Sequence, residues 1–153
     1  MKFKATQIIP APRALVWKGL NNPKVLQQCI TGCEEFVATS PTAMRAKVVI
    51  KLGPLKVTFN GSFDLSDVKP LESCHVSGRG QGGIAGSASA EAFVKLIEID
   101  PNHTQMDYEV EAQIGGKLAV FGQRLIGTAT NALASRFFEK FVSVIKSEER
   151  LEN

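Results

Sequence analysis

With 153 residues, 44% of them hydrophobic and 22% charged, the chain is long enough for one domain whose core needs neither disulfides nor metal, and its composition is globular, not disordered. The net charge of +3 is mild. The basic residues form no Lys/Arg run and have no aromatic interleaving, which excludes nucleic acid as the expected partner.

The opening Met1-Lys2-Phe3-Lys4-Ala5-Thr6 has no apolar h-region, and Arg124 interrupts the best candidate for a membrane span. Neither a signal peptide nor a spanning helix is expected, so the expected location is the cytoplasm, with peripheral contact at the inner face of the membrane allowed by a basic helix face. Cys29, Cys33 and Cys74 are an odd set. Cys29 and Cys33 have helical spacing, but no second pair and no nearby histidine complete a metal site, so reduced structural thiols are expected.

Residues 3–9 read as a first strand, closed by Pro10-Ala11-Pro12. Proline suits a helix's first turn, so Pro12 starts a short helix ending at Leu20, and Pro23 starts a second that ends about Cys29. Gly32 then supplies a positive φ. Beyond Glu34 the period changes to two. Met44, Ala46, Val48, Ile50 and Leu52 alternate with Arg45, Lys47 and Lys51; after a Gly53-Pro54 turn, Leu55, Val57, Phe59, Gly61, Phe63 and Leu65 alternate with Lys56, Thr58, Asn60, Ser62, Asp64 and Ser66. The same alternation places Cys74, Val76 and Gly78 on the inner face of the next strand. It continues with Ala88, Ala90, Ala92, Val94 and Leu96, and then with Met106, Tyr108, Val110, Ala112 and Ile114. A strand, two short helices, about six consecutive strands and a last helix form an α+β order, with an antiparallel meander curving around that helix.

Residues 117–146 are the longest helix candidate, proline-free and rich in helix formers. Leu118, Phe121, Leu125, Ala129 and Ala132 fall on one side, whereas Phe137, Phe138, Phe141, Val144 and Ile145 point elsewhere. Two explanations are open: a break at Gly122 or Gly127, or burial of the two halves against different surfaces. The second is favoured, with some kinking.

The inner face is apolar and carries Gly61, Gly78, Ala90 and Ala112 where a packed core wants larger side chains. Close approach of the helix explains this; so does a cavity for an apolar ligand. The cavity reading draws on Val48, Ile50, Val57, Phe59, Phe63, Val76, Ala90, Val94, Tyr108 and Val110 from the sheet and on Leu118, Phe121 and Leu125 from the helix. Charges fall on the outer face. His75 shares that face with Arg79, and His103 lies in a turn, so no catalytic residues are assigned. Tyr108 is the lone inward phenol, either a satisfied core tyrosine or a ligand contact. Residues 78–83 satisfy G-x-G-x-x-G, but strand alternation resumes at Ser87, so the dinucleotide fingerprint lacks its helix. A flexible loop at the cavity mouth, carrying Gly80, Gly82, Gly83 and Gly86, fits better.

Taken in order, Ile9-Pro10-Ala11-Pro12 with Val16-Trp17, Leu26-Gln27-Gln28-Cys29-Ile30-Thr31-Gly32-Cys33-Glu34, Gly78-Arg79-Gly80-Gln81-Gly82-Gly83-Ile84-Ala85-Gly86, Val110-Glu111-Ala112-Gln113-Ile114-Gly115-Gly116-Lys117 and Gly122-Gln123-Arg124-Leu125-Ile126 resemble the carbon monoxide dehydrogenase G-subunit family, of the START-like, polyketide cyclase superfamily. Thr31 departs from the family's usual proline. The resemblance implies a helix-grip fold around a hydrophobic cavity and a non-catalytic, accessory role beside a carbon monoxide dehydrogenase-type molybdenum hydroxylase, in membrane recruitment or quinone delivery. The expected ligand is a lipid or isoprenoid quinone, with no intrinsic cofactor. Two rival readings are an adaptor that binds a membrane or protein through Phe137, Phe138 and Phe141, and a cyclase- or hydrolase-like enzyme.

Overall fold

The period-two alternation becomes a curved antiparallel sheet in the computed structural model, which describes residues 1–52 and 54–152 and, within them, not the side chains of Leu52, Gln123, Leu151 and Glu152. The expected turn residue Gly53 and the inward placement of Leu52 lie outside the described residues. The elements are β1 (Lys2–Ile9), α1 (Arg13–Leu20), α2 (Pro23–Cys29), β2 (Cys33–Ala38), β3 (Ala43–Leu52), β4 (Leu55–Lys69), β5 (Ser73–Gln81), β6 (Ser87–Asp100), β7 (His103–Gly115) and α3 (Gly122–Glu152). Short 3-10 turns at Gly83–Ala85 and Gly116–Phe121 precede β6 and α3. The sheet order is β1-β7-β6-β5-β4-β3-β2, with every neighbouring pair antiparallel.

Register places the expected inner positions opposite one another. Val48 faces Phe59, Phe63 faces Gly78, Gly78 faces Ala90, Ala90 faces Ala112, and Val94 faces Tyr108. β1 extends the row with Phe3 beside Val110 and Ala5 beside Tyr108. A one-residue slip would turn every one of these side chains outward, so burial of one face fixes the pairing.

Local chemistry sets the two short helices. Pro12 caps α1 in an extended conformation, and the Asn22 side chain accepts a hydrogen bond from Lys24 N at 3.0 Å ahead of Pro23. Gly32 has φ of +79°, and a Cβ there would strike the Val49 carbonyl. Its own carbonyl accepts from Val49 N at 2.8 Å, which ties the α2–β2 turn to β3.

The last helix departs from expectation. Gly122, with φ of +75°, separates a 3-10 turn from α3, so Leu118 and Phe121 do not share a helical face with Leu125 and Ala132. Both Leu125 and Ala132 are exposed. The true stripe is Ile126, Ala129, Leu133, Phe137, Phe141 and Val144, one face throughout, and α3 runs through Gly127 without interruption. The apparent change of face comes from counting the 3-10 turn as α-helix. Phe141, Val144 and Ile145 are buried with Val16 and Val25 of α1 and α2 and with Leu96 and Met106 of the sheet, flanked by Trp17, Phe137 and Phe138. Of the phenylalanines considered for a surface role, Phe141 is core and Phe137 and Phe138 are half-buried against it. The architecture is the START-like helix-grip fold, a seven-stranded antiparallel sheet curved about a long C-terminal helix.

Candidate functional site

Two apolar cores hold α3 to the sheet, one at each end. The first, described above, gathers around Phe141 and includes Val94 and Tyr108 at its margin. The second joins buried Val57, Ala85 and Leu118, with Ile50, Leu55, Phe59, Ile114, Phe121 and Ala129 against them. Between the two, Val48, Phe63, Val76, Ala90 and Val110 belong to neither and are only half-buried. Apolar residues in the middle of a concave face normally meet a helix; here the neighbouring stretch of α3 offers only the short side chains of Ala129, Thr130 and Ala134.

Two grooves flank the helix, and of this row only Val110 lines one of them. One groove, of about 400 Å³, lies along β1 and β7, lined by Phe3, Ala5, Tyr108, Val110, Ala112 and Ile114 and by Ile126, Thr130, Asn131 and Ala134 of α3. The other, of about 820 Å³, runs between α2, β3 and α3, past Ile30, Cys33, Ile50, Ala129, Leu133 and Arg136. Their alanines and apolar walls suit a flat or chain-like hydrophobic ligand. Lys2 and Lys4 border the first groove; Glu34, Lys51, Lys56 and Arg136 border the second.

Of the residues expected to line a cavity, Tyr108 and Val110 stand in the first groove and Ile50 in the second, while Val48, Phe63, Val76 and Ala90 are half-buried on the sheet between the cores and line neither groove. Val57 and Leu118 are buried in the second core, with Phe59 and Phe121 packed on it, and Val94 packs on the first. Leu125 is 41% exposed and lines neither groove, because the break at Gly122 turns it to the outside. Gly80 belongs to β5 and not to a loop. The Phe63 ring lies 3.0 Å from where a Gly78 Cβ would stand, a tight contact, whereas Phe59 lies 3.4 Å from that of Gly80, an ordinary one. A phenyl ring, not the close approach of α3, therefore accounts for Gly78. Gly82, Gly83 and Gly86 do form the β5–β6 connection, but it is pinned: Gly82 N donates to Gly86 O at 2.8 Å, and Ala85 is buried. It is a short hydrogen-bonded turn.

The polar inventory is small. Tyr108 stacks on Phe138 at 5.7 Å, its hydroxyl is paired with Gln7, and burial pushes its phenol pKa up, so it is both a satisfied tyrosine and part of a groove wall. Thr130 Oγ1 donates to Ile126 O at 2.8 Å and so presents its methyl to the groove. His75 pairs with Glu91 at 3.3 Å on the outer face, and His103 with Asp100 at 2.9 Å in the β6–β7 turn. Missed from sequence were Ile126, Thr130, Leu133, Ala134 and Arg136, hidden by the misplaced helix phase, and Phe3 and Ala5, which the alternation of β1 could have supplied.

Cys29 closes α2 and Cys33 opens β2, so their spacing does not put them on one helical face. All three cysteines are free thiols. Cys29 is 2% exposed, and burial pushes its pKa up to about 11 from 9.0. A folded-state pKa above the unfolded value means that unfolding releases a proton, so this contribution to stability is complete below pH 9 and is lost as pH rises toward 11. Denaturant titrations of wild type and Cys29→Ala at pH 8 and pH 10.5 are expected to show a smaller decline in the variant. Equal declines would remove Cys29 as the cause.

The profile of the family described as the G subunit of carbon monoxide dehydrogenase (CoxG) matches residues 6–146. A search of curated proteins finds no match. Among solved structures, a conserved protein from Geobacillus kaustophilus is 28% identical, covering 96% of both chains with a TM-score of 0.90. The Zhui aromatase/cyclase from Streptomyces sp. R1128 is 11% identical over 95% of this chain and 93% of its own, with a TM-score of 0.67. A START superfamily protein from Mycobacterium smegmatis, also 11% identical, covers 94% and 98% with a TM-score of 0.67.

Proposed function

Because the chain belongs to the carbon monoxide dehydrogenase G-subunit (CoxG) family, we propose that it is a non-catalytic binding protein that holds a lipid or isoprenoid quinone under α3 and serves a carbon monoxide dehydrogenase-type molybdenum hydroxylase at the inner face of the membrane. One observation carries the ligand reading: Val48, Phe63, Val76, Ala90 and Val110 are apolar, central and outside both cores. Phe63 stacks on Phe36 at 6.0 Å, but leaving Val48, Val76, Ala90 and Val110 outside both cores forfeits dispersion and burial energy that a ligand restores. The groove walls favour binding over acid–base chemistry, since both histidines pair with carboxylates away from them. The partner enzyme rests on the family's name, and quinone delivery would be the link between the two.

The test is mass spectrometry of organic extracts from gently purified protein, with uptake of an added short-chain isoprenoid quinone measured in parallel. Wild type is expected to carry or take up a lipophile, and Ala112→Phe, which fills the first groove, to weaken uptake about tenfold or more. Empty protein that takes up no quinone would sink the reading.

A further inference from the structure

The most exposed large hydrophobic side chains among the described residues are Ile84, at 88%, and Val120, at 85%. They stand on the two 3-10 turns, Gly83–Ala85 and Gly116–Phe121, which meet at one end of the molecule. Neither can fold back. Their neighbours Ala85 and Leu118 are buried together with Val57, and a Cβ on Gly116 would come within 2.6 Å of Gly86 Cα, so the two turns interlock. Two aliphatic side chains are thus held out in water on a rigid mount.

The charge around them is mainly cationic. The segments that converge on this end and on the adjoining half of α3, residues 51–63, 79–90 and 112–138, contain Lys51, Lys56, Arg79, Lys117, Arg124 and Arg136 and no aspartate or glutamate. The acidic residues lie in other segments, and of these Glu34 borders the second groove together with Lys51, Lys56 and Arg136. Lys117 and Arg124 are exposed beside the aliphatic pair. A second copy of the chain fits this surface poorly, because a two-fold contact would set Lys117 and Arg124 against themselves. Aliphatic tips ringed by cations match the interface of an anionic bilayer, with acyl chains for the first and phosphates for the second.

We propose that this end docks on an anionic membrane, with Ile84 and Val120 entering the acyl boundary and Lys117 and Arg124 at the level of the phosphates. The start of α3 then lies against the bilayer and brings the flanking grooves near the pool from which a lipophile is drawn. That last step rests on the ligand reading above, whereas docking itself does not. Among the described residues no helix is long and apolar enough to cross a membrane.

The experiment is co-sedimentation of the full chain with phosphatidylcholine vesicles, with and without about one-third phosphatidylglycerol. Binding is expected only to the anionic vesicles and is expected to fall as salt is raised. The Ile84→Ser/Val120→Ser double variant is expected to bind at least about tenfold more weakly. Ile99→Ser, which changes an exposed isoleucine at the opposite end of the sheet, is expected to bind like wild type. Vesicle binding by the double variant equal to wild type overturns the proposal, as does concentration-dependent dimerisation abolished by the same substitutions without vesicle binding. Quinone uptake from detergent separates the two readings. A double variant that loses vesicles but keeps uptake supports docking at this end, and a wild type that binds vesicles but takes up no quinone supports docking while removing the carrier function.

Discussion

Replacing Phe141 with alanine is expected to cost about 3–5 kcal/mol, the largest loss foreseen for any single side chain here. Phe141 is 0% exposed, stacks on Phe137 with centroids 5.6 Å apart, and lies under Gly19 of α1, where an added Cβ would come 3.1 Å from its ring. Truncation would remove the surface on which α1 and the sheet both close, and the backbone approach at Gly19 leaves little freedom for collapse into the void. Urea unfolding should show a lower midpoint with the slope unchanged. Val120→Ser, on an exposed residue of the 3-10 turn, should stay within about 0.5 kcal/mol of wild type. A loss below about 1 kcal/mol for Phe141→Ala would mean that the second half of α3 is not the element that holds the fold.

That contrast bears on how much was legible in the sequence. The sheet was, because period two leaves no freedom: once Ala46, Val48 and Ile50 face inward, Gly61, Phe59 and Val57 must face them, and the register agrees residue by residue. The length and end of α2 were legible from Asn22-Pro23 and Gly32, where the backbone chemistry is local. The phase of α3 was not. A helical wheel assumes one geometry throughout, and a single positive φ at Gly122 resets it, so the wheel pairs Leu118 with Leu125 although one is buried and the other exposed.

The site was legible on its sheet side and not on its helix side. Val48, Phe63, Val76 and Ala90 follow from alternation alone, but the groove walls from Ile126 to Arg136 depend on the helix phase. The glycines of β5 look like a loop because glycine is rare in strands; the ring of Phe63 on the neighbouring strand accounts for Gly78. The cationic end was invisible because its segments are far apart in the chain. Basic residues that look scattered along 153 positions become a patch only after the sheet has brought residues 51–63, 79–90 and 112–138 together.

The interlocked turns give the second large effect. Gly86→Ala is expected to cost about 2–4 kcal/mol, since the position combines φ of +123° with a Cβ that would run into the Gly115 carbonyl oxygen, and backbone cannot rotate away as a side chain does. Gly83, three residues earlier and also at positive φ, has open space where a Cβ would stand, with nothing within 4 Å, so Gly83→Ala carries only the intrinsic left-handed penalty of about 1 kcal/mol. The pair therefore separates strain from collision. Chemical denaturation measures both losses, and hydrogen exchange locates them: in Gly86→Ala the amides of the Gly116–Phe121 turn should lose protection along with those of the Gly83–Ala85 turn, because each turn is the other's support. Equal losses for the two variants would mean that the turns do not interlock, and that Ile84 and Val120 are not held on one mount.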